Sequence, residues 1–291
     1  MAITTGRCSV PGACPVAQCG RHRRRVLQDR CGNGLMTLRL TTCEVRDQVL
    51  VVTIDRPDFR NALNVDAHHE LARIFDDFEA DASLRVAVIT GRGPQAFCAG
   101  SDIKDDLDPA KKPLSGFAGL SRRFQRRKPV IAAVNGVALG GGVEILLACD
   151  LAVAADTARF ALPEPRVGLA AIEGGLQRLA QHIPLKFAMQ MLLTGASIDA
   201  QTALRFGLVN DVVPPAQLMD AAMRYATSIL ECSPLAIAAT IEVVGQTPVM
   251  AGVANPALWA HPAIDRLWSS RDAKEGVDAF IGKRSPVWQR E

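Results

Sequence analysis

Two glycine-containing loops are the segments of this sequence best suited to hold a negatively charged oxygen. One spans residues 96–104 (AFCAGSDIK) and the other spans residues 135–144 (NGVALGGGVE). Each follows an apolar run and precedes a segment of helical character. Amides at a helix start have no intrahelical partner, and glycine lets a ligand approach the backbone closely. Two such amides aimed at one oxygen would form an oxyanion hole, although a glycine triplet also serves tight helix–sheet packing.

Several other chemistries lack the spacing that they require. The second loop has no G-x-G-x-x-G pattern, which argues against a dinucleotide site. Ser101 has no G-x-S-x-G elbow around it, so it is not predicted to be a nucleophile. The run His68-His69-Glu70 lacks the H-E-x-x-H arrangement. We therefore predict no metal site.

Two glutamates are candidates for proton transfer. Glu144 lies at an otherwise apolar helix start, and Glu164 lies between Pro163 and Pro165 after an apolar run. A single glutamate on a short helix is usually solvated, so neither position alone establishes catalysis. Two carboxyl groups around one water could share the roles of base and acid, with burial and mutual repulsion keeping one of them protonated.

The elements that would position these groups alternate between strands and helices. Apolar and β-branched runs predict strands at 50–55, 85–90, 129–134, 151–155 and 158–162. Helical spacing or composition predicts helices at 65–81, 120–126, 143–149, 175–182, 185–193, 199–206, 215–231, 234–243 and 271–282. A polar, proline-containing stretch covers 246–262. Strands alternate with helices in the first part of the chain, and only helices follow. This order predicts an α/β fold with a helical C-terminal part.

Composition excludes two classes of protein. Apolar residues make up 48% of the 291 residues and charged residues 22%, which argues against overall disorder. The longest uncharged apolar stretch, 129–143, falls short of the roughly 20 residues of a spanning helix.

The net charge of +3 comes from residues 1–35, because the rest of the chain has 27 basic and 29 acidic residues.

Residues 1–35 also hold four of the eight cysteines and show no apolar periodicity. They lack the apolar core of a secretory signal, and they lack the serines of a transit peptide. A zinc site built from Cys14, Cys19 and His22 with Cys8 or Cys31 is conceivable, but its spacing matches no common finger. We expect a disordered or spurious extension, with Met36 opening the domain. The thiols and the missing secretory signal predict a cytoplasmic protein.

Seven ordered blocks resemble the crotonase superfamily, the enoyl-CoA hydratases and isomerases. The blocks are 54–63 (IDRPDFRNAL), the AGSDI loop, 135–144, 160–164 (FALPE), 174–179 (GGLQRL), 193–200 (LTGASIDA) with 207–210 (GLVN), and 279–284 (AFIGKR). They cover about 49–290. The resemblance implies a spiral of ββα units over 36–230 and a C-terminal helical trimerisation region over 231–291, assembled as a homotrimer or hexamer.

The resemblance also implies roles for the candidate residues. The amides of Ser101 and Gly141 would hold the thioester oxygen of an acyl-CoA, Glu144 would activate water, and Glu164 would protonate C2. Because both glutamates are present, the resemblance favours hydration or dehydration over isomerisation. No cofactor is implied, because coenzyme A is part of the substrate, and neither nucleic acid nor membrane is an expected partner.

Further residues match segments that bind the substrate or its CoA moiety in the family. They are Arg60, Ala62, Ala99, Asp102, Ile103, Lys104, Gly140, Phe280 and Lys283. Asp102 is also expected to hold its own loop, and a surface lysine such as Lys104 or Lys283 is by default a solvated charge.

One departure from the family pattern leaves the substrate open. Short-chain hydratases carry a Pro-Gly-Ala-Gly-Gly type of segment where this chain has 171–175 (AIEGG), so Ile172 replaces a glycine and Glu173 adds a carboxylate. A carnitinyl-CoA-like or other specialised dehydratase, or an isomerase, is therefore an alternative. A non-catalytic protein that binds RNA through the arginines of 21–25 is the alternative from another class.

Overall fold

The computed structural model describes residues 25–26, 38–105, 108–245, 255 and 262–288. The proposed zinc ligands and most of the proposed extension over 1–35 lie outside these residues, and so does nearly all of the polar stretch at 246–262. Of the extension, only Arg25–Val26 is described, as a two-residue strand.

The described strands form two sheets. In chain order they are β1 (Arg25–Val26), β2 (Thr41–Arg46), β3 (Val49–Ile54), β4 (Val86–Gly91), β5 (Ala96–Cys98), β6 (Val130–Val134), β7 (Val137–Leu139), β8 (Leu151–Ala155), β9 (Arg159–Ala161), β10 (Ile198–Asp199) and β11 (Asp211–Val213). The large sheet has the order β1-β2-β3-β4-β6-β8-β11 and is parallel from β3 onward, whereas the small sheet has the order β10-β9-β7-β5.

Successive strands alternate between the two sheets, and this alternation produces a spiral. The pairs β4 and β5, β6 and β7, and β8 and β9 each place one strand in the large sheet and the next in the small sheet. In the small sheet β5, β7 and β9 are parallel neighbours, so their carboxyl ends meet at one edge. The predicted α/β class and spiral architecture are confirmed.

The described helices match predicted helices except for α8, which was not predicted. They are α1 (Val65–Ala80), α2 (Gly141–Ala148), α3 (Gly175–His182), α4 (Leu185–Thr194), α5 (Ala200–Phe206), α6 (Leu218–Leu230), α7 (Pro234–Gly245), α8 (Pro262–Trp268) and α9 (Arg271–Ile281). Helix α1 begins where the Asn64 side chain accepts a hydrogen bond from the Ala67 amide, which caps the first turn.

Both faces of the large sheet are covered. One face packs on α6, where Ala221, Ala222 and Ala226 allow close approach of the helix to the strands. The opposite face packs against α1, whose Leu71 and Phe75 are fully buried. Parallel strands buried on both faces are expected to be nearly continuous apolar runs, as β4 and β6 are.

The predicted helix at 120–126 is wrong. A short 3₁₀ turn at Phe117–Gly119 and further turns occupy this region. Gly116 and Gly119 have left-handed φ values of 78° and 66°, so no regular helix leads into residues 120–126. The amide of Phe117 donates to the Ser121 hydroxyl at 2.7 Å, so a side chain takes the place of a helical carbonyl.

Among the described residues, no single helix is long and apolar enough to cross a membrane. The segments Pro215–Leu230 and Pro234–Gly245 meet these criteria only when they are taken together, and a bend of 105° separates them.

Candidate active site

A cavity of about 110 Å³ lies at the edge where β5, β7 and β9 end. Ser101 follows β5, Gly141 follows β7 and Glu164 follows β9, each within three residues of the strand's last residue. The topology of the small sheet therefore brings the two glycine loops and one glutamate together. Of the predicted site residues, the cavity is lined by Ala99, Ser101, Ile103, Gly140, Gly141, Glu144 and Glu164.

The backbone amides of Ser101 and Gly141 are available to a ligand. Leu63 forms hydrogen bonds with the two neighbours of Ser101: its amide donates to the Gly100 carbonyl, and its carbonyl accepts from the Asp102 amide. The Ser101 amide therefore points away from Leu63. Gly141 is the first residue of α2 and lacks an intrahelical acceptor. Neither amide donates a hydrogen bond to an acceptor within the described part of the chain. A Cβ on Gly100 would lie 3.3 Å from the Gly141 nitrogen, which shows how closely the two loops approach.

Two glycines of the second loop are required by close contacts. A side chain on Gly141 would collide with the ring of Phe117. A Cβ on Gly140 would lie only 2.7 Å from Glu164 Oε1, and the φ of 53° at this position disfavours any other residue. The glycines therefore serve packing and at the same time leave the amides open.

Glu144 is almost completely buried on α2, with 3% of its surface exposed. Its Oε1 accepts the Gly175 amide at 3.0 Å, which ties the carboxyl group to the start of α3. Burial raises the pKa of Glu144 above its ordinary value, and the charges of Glu164 and Glu173 raise the pKa further.

Glu164 begins a 3₁₀ turn between two prolines. Its Oε2 is buried and has no hydrogen-bond partner within the described residues. Burial raises the pKa of this carboxyl group as well. The site thus holds two carboxyl groups that can remain protonated at a higher pH than ordinary glutamates, as proton transfer requires.

Six of the predicted substrate-binding residues do not line this cavity. Ala62 is buried and its carbonyl accepts from the Arg56 guanidinium. Asp102 pairs with Arg56 at 3.0 Å, in agreement with its expected role of holding the loop. The remaining four, namely Arg60, Lys104, Phe280 and Lys283, are exposed on the described surface.

Several residues that line the cavity were not predicted, among them Lys112, Phe117 and Trp268, and Glu173 was undervalued. Lys112 follows a short 3₁₀ turn at 109–111, Phe117 begins the next 3₁₀ turn, and Trp268 is the last residue of α8. Glu173, noted only as an additional carboxylate, is 3% exposed and lines the same cavity. The departure at 171–175 pointed to this wall of the site. No cluster able to hold a metal occurs among the described residues.

Fold and cavity together define a crotonase-type protein, and comparison with known sequences agrees. The sequence matches the enoyl-CoA hydratase/isomerase family over residues 44–291, and the chain belongs to that family. A carnitinyl-CoA dehydratase of Proteus mirabilis is 42% identical over 260 residues, covering 87% of this chain and 98% of the relative. The corresponding protein of Escherichia coli K12 is 41% identical over 251 residues, covering 83% and 95%.

Solved structures agree with this assignment. A carnitinyl-CoA hydratase from Mycobacterium avium superposes with a TM-score of 0.81 at 40% identity, covering 88% of this chain and all of that one. An enoyl-CoA hydratase from Mycobacterium tuberculosis H37Rv gives a TM-score of 0.68 at 38% identity, covering 87% and 99%. The family and the hydratase or dehydratase type of chemistry are therefore those expected from the sequence blocks.

Proposed function

We propose that this protein reversibly adds water across the double bond next to the thioester carbonyl of an enoyl-CoA. One observation carries the proposal: two open backbone amides, the buried Glu144 and the half-buried Glu164, both with raised pKa values, line the same cavity. No single side chain in this set performs the reaction alone. Their combination matches the needs of water addition at C3 and proton addition at C2.

In the proposed mechanism, the amides of Ser101 and Gly141 donate to the carbonyl oxygen. Negative charge accumulates on that oxygen when water attacks C3 and the double-bond electrons move toward the thioester. A preorganised donor of this kind typically contributes about 3 kcal/mol to the barrier reduction. Because main-chain groups donate, the serine hydroxyl is not required.

The two glutamates transfer the protons in opposite directions. Glu144 in its ionised form accepts a proton from the attacking water, and Glu164 in its protonated form delivers a proton to C2. The net change is addition of one water, and the reverse sequence is dehydration. Two neighbouring carboxyl groups shielded from water do not readily ionise together, which supports one protonated group beside one ionised group. The Gly175 amide donates to Glu144 and favours the ionised form of that residue.

A dehydratase acting on carnitinyl-CoA is the second candidate, and it uses the same machinery. It is favoured by the 42% identity to carnitinyl-CoA dehydratases over nearly their whole length. It also agrees with the charged wall formed by Glu173 and Lys112, which an unsubstituted short acyl chain would not need.

The test is turnover of crotonyl-CoA and of its trimethylammonium-substituted counterpart, followed through the absorbance of the conjugated thioester. Glu144→Gln and Glu164→Gln each keep the shape but cannot exchange the proton, and we expect each to lose at least about a hundredfold in kcat. Full activity of both variants would refute the mechanism. Turnover of only the cationic substrate would assign the second candidate.

We further propose a homotrimer or a pair of trimers. Helix α7 is largely apolar, yet Leu235, Val243 and Val244 are 76%, 67% and 54% exposed. An apolar surface of this kind is typical of a subunit interface.

A further inference from the structure

The ammonium group of Lys112 lies near a carboxylate and an aromatic ring that line the same cavity. Its Nζ lies 3.5 Å from Glu173 Oε1 and 5.4 Å from the centre of the Phe117 ring. All three residues line the cavity that contains Glu144 and Glu164. A carboxylate and an aromatic face on either side of a cation form the kind of environment that selects alkylammonium groups.

The carboxylate and the ring are held in place relative to each other. The Ser121 hydroxyl donates to Glu173 Oε2 at 3.0 Å and accepts the Phe117 amide at 2.7 Å. The Arg122 guanidinium donates to Glu173 Oε1 at 3.3 Å from the more exposed side. Ser121 therefore connects the two walls of the position directly.

Lys112 is held less firmly than these walls. Its distance of 3.5 Å to Glu173 exceeds the roughly 2.7–2.9 Å of a tight charge-assisted hydrogen bond. Its stem has four rotatable carbon–carbon bonds, and 13% of the side chain already reaches solvent. The lysine can thus leave the position without movement of Glu173 or Phe117.

We propose that Glu173 and Phe117 form a subsite for a cationic acyl head group, specifically a quaternary ammonium, and that Lys112 fills this subsite in the free enzyme. The inference rests on the proposed function, because it assigns the acyl end of the same substrate. A quaternary ammonium donates no hydrogen bonds, so charge and a ring face are the features by which a protein recognises it. Glu173 and Phe117 are then specificity-determining residues, and Lys112 is an internal competitor.

Arg122 limits the size of the expected effect. Arg122 stays paired with Glu173 when Lys112 leaves, so the substrate cation meets a carboxylate whose charge is already partly neutralised. We therefore expect Glu173 to provide a cation preference of roughly tenfold rather than the larger effects of fully buried charge pairs.

The test measures binding by calorimetry with two ligands that cannot be hydrated or dehydrated. One is trimethylammoniobutanoyl-CoA, and the other is its neutral isostere, in which carbon replaces the quaternary nitrogen. The ratio of their Kd values reports recognition of the charge alone, because size and CoA contacts are the same. The variants are Lys112→Met, the double variant Lys112→Met with Glu173→Gln, and Lys111→Met as a matched control on the exposed neighbour. The double variant avoids leaving a buried lysine without its counter-charge.

We expect Lys112→Met to increase the preference for the cationic ligand about fivefold to tenfold, since the competitor is gone. The double variant should abolish the preference, and Lys111→Met should leave it unchanged. Equal changes for both ligands, or weaker binding of the cation by Lys112→Met, would overturn the subsite. Turnover of crotonyl-CoA and of its trimethylammonium-substituted counterpart by the wild type separates the two proposals. Absence of both activities contradicts the reaction, whereas the Kd ratio still decides the subsite.

Discussion

Gly140→Ala is the substitution that most directly tests how the backbone supports the proposed proton transfer. Gly140 has a φ of 53° and a ψ of −119°, a conformation that residues with a Cβ rarely adopt. The added carbon would lie 2.7 Å from Glu164 Oε1. The contact is relieved by a shift of the Glu164 carboxyl group, and the backbone strain is relieved by rotation of the peptide that carries the Gly141 amide, so the substitution disturbs the acid and the oxyanion donor.

The expected magnitude follows from these two contacts. Backbone strain at such a position costs about 1–3 kcal/mol of folding stability. Misdirection of one oxyanion donor costs about 3 kcal/mol in the barrier, which corresponds to roughly a hundredfold in kcat. Gly93→Ala is the matched control, because Gly93 has a φ of 79° but no atom within 4 Å of an added Cβ. The control should lose about 1–2 kcal/mol of stability and none of the activity.

Urea denaturation gives the stability of both variants, and hydration of crotonyl-CoA, or of the best substrate found, gives kcat. We expect comparable stability losses and a selective loss of kcat in Gly140→Ala. If Gly140→Ala kept full kcat while it was destabilised, the loop would serve packing alone and the assignment of the Gly141 amide would be wrong. Equal loss of kcat in both variants would attribute the effect to general destabilisation.

Two further predictions concern acid stability and assembly. Burial lowers the pKa of His68 to about 3, and its Nδ1 accepts the Ala118 amide, so folding requires the neutral ring. The free energy of unfolding should therefore fall as the pH drops below 6.5, by up to about 1.4 kcal/mol per pH unit, and His68→Gln should lack this contribution in urea titrations at several pH values. An unchanged slope in the variant would contradict it. Leu235→Asp with Val243→Asp should convert a trimer into a monomer in sedimentation experiments, and an unaltered mass would exclude α7 from the interface.

Much of the large sheet was predictable because burial on both faces leaves a simple signal. The run at 130–134 consists only of valine, isoleucine and alanine, and it is a strand without exposed residues. Helix α1 was predictable as well, since its apolar residues recur at helical spacing and it ends within one residue of the prediction. The two glutamates were identified through the ordered sequence blocks, because periodicity alone did not distinguish them from solvated residues.

The small sheet was harder to recognise, and the site depends on it. Strands β5 and β7 have three residues each, too few for an alternating pattern, and they fall within segments that look like loops. The cavity wall was harder still. Phe117 and Trp268 reach the cavity from segments about 150 residues apart in the sequence, and no local pattern predicts such a contact. Glu173 was recognisable only as a departure from the family pattern, with no indication that Lys112 would neutralise it.

The raised pKa values of Glu144 and Glu164 should also make the native protein less stable as the pH rises. A carboxyl group whose folded pKa is raised binds its proton more tightly in the folded state than in the unfolded state. Its favourable contribution is complete below the unfolded pKa of about 4.5 and disappears as the pH rises through the folded pKa. Glu164 has no hydrogen bond to Oε2 within the described residues that would offset this loss.

Glu164→Gln removes this titration while it keeps the size of the side chain. The variant should therefore gain stability relative to the wild type as the pH rises above about 4.5, by at most about 1.4 kcal/mol per pH unit, and should level off above the folded pKa. Urea denaturation of both proteins across the pH range measures the difference, and Glu44→Gln, at a half-buried surface position, is the control. A difference that does not depend on pH would mean that Glu164 titrates as an ordinary carboxyl group. In that case Glu164 would be ionised near neutral pH and could not deliver the proton that the mechanism requires. The raised pKa that lowers stability at high pH is the same property that keeps Glu164 protonated near neutral pH.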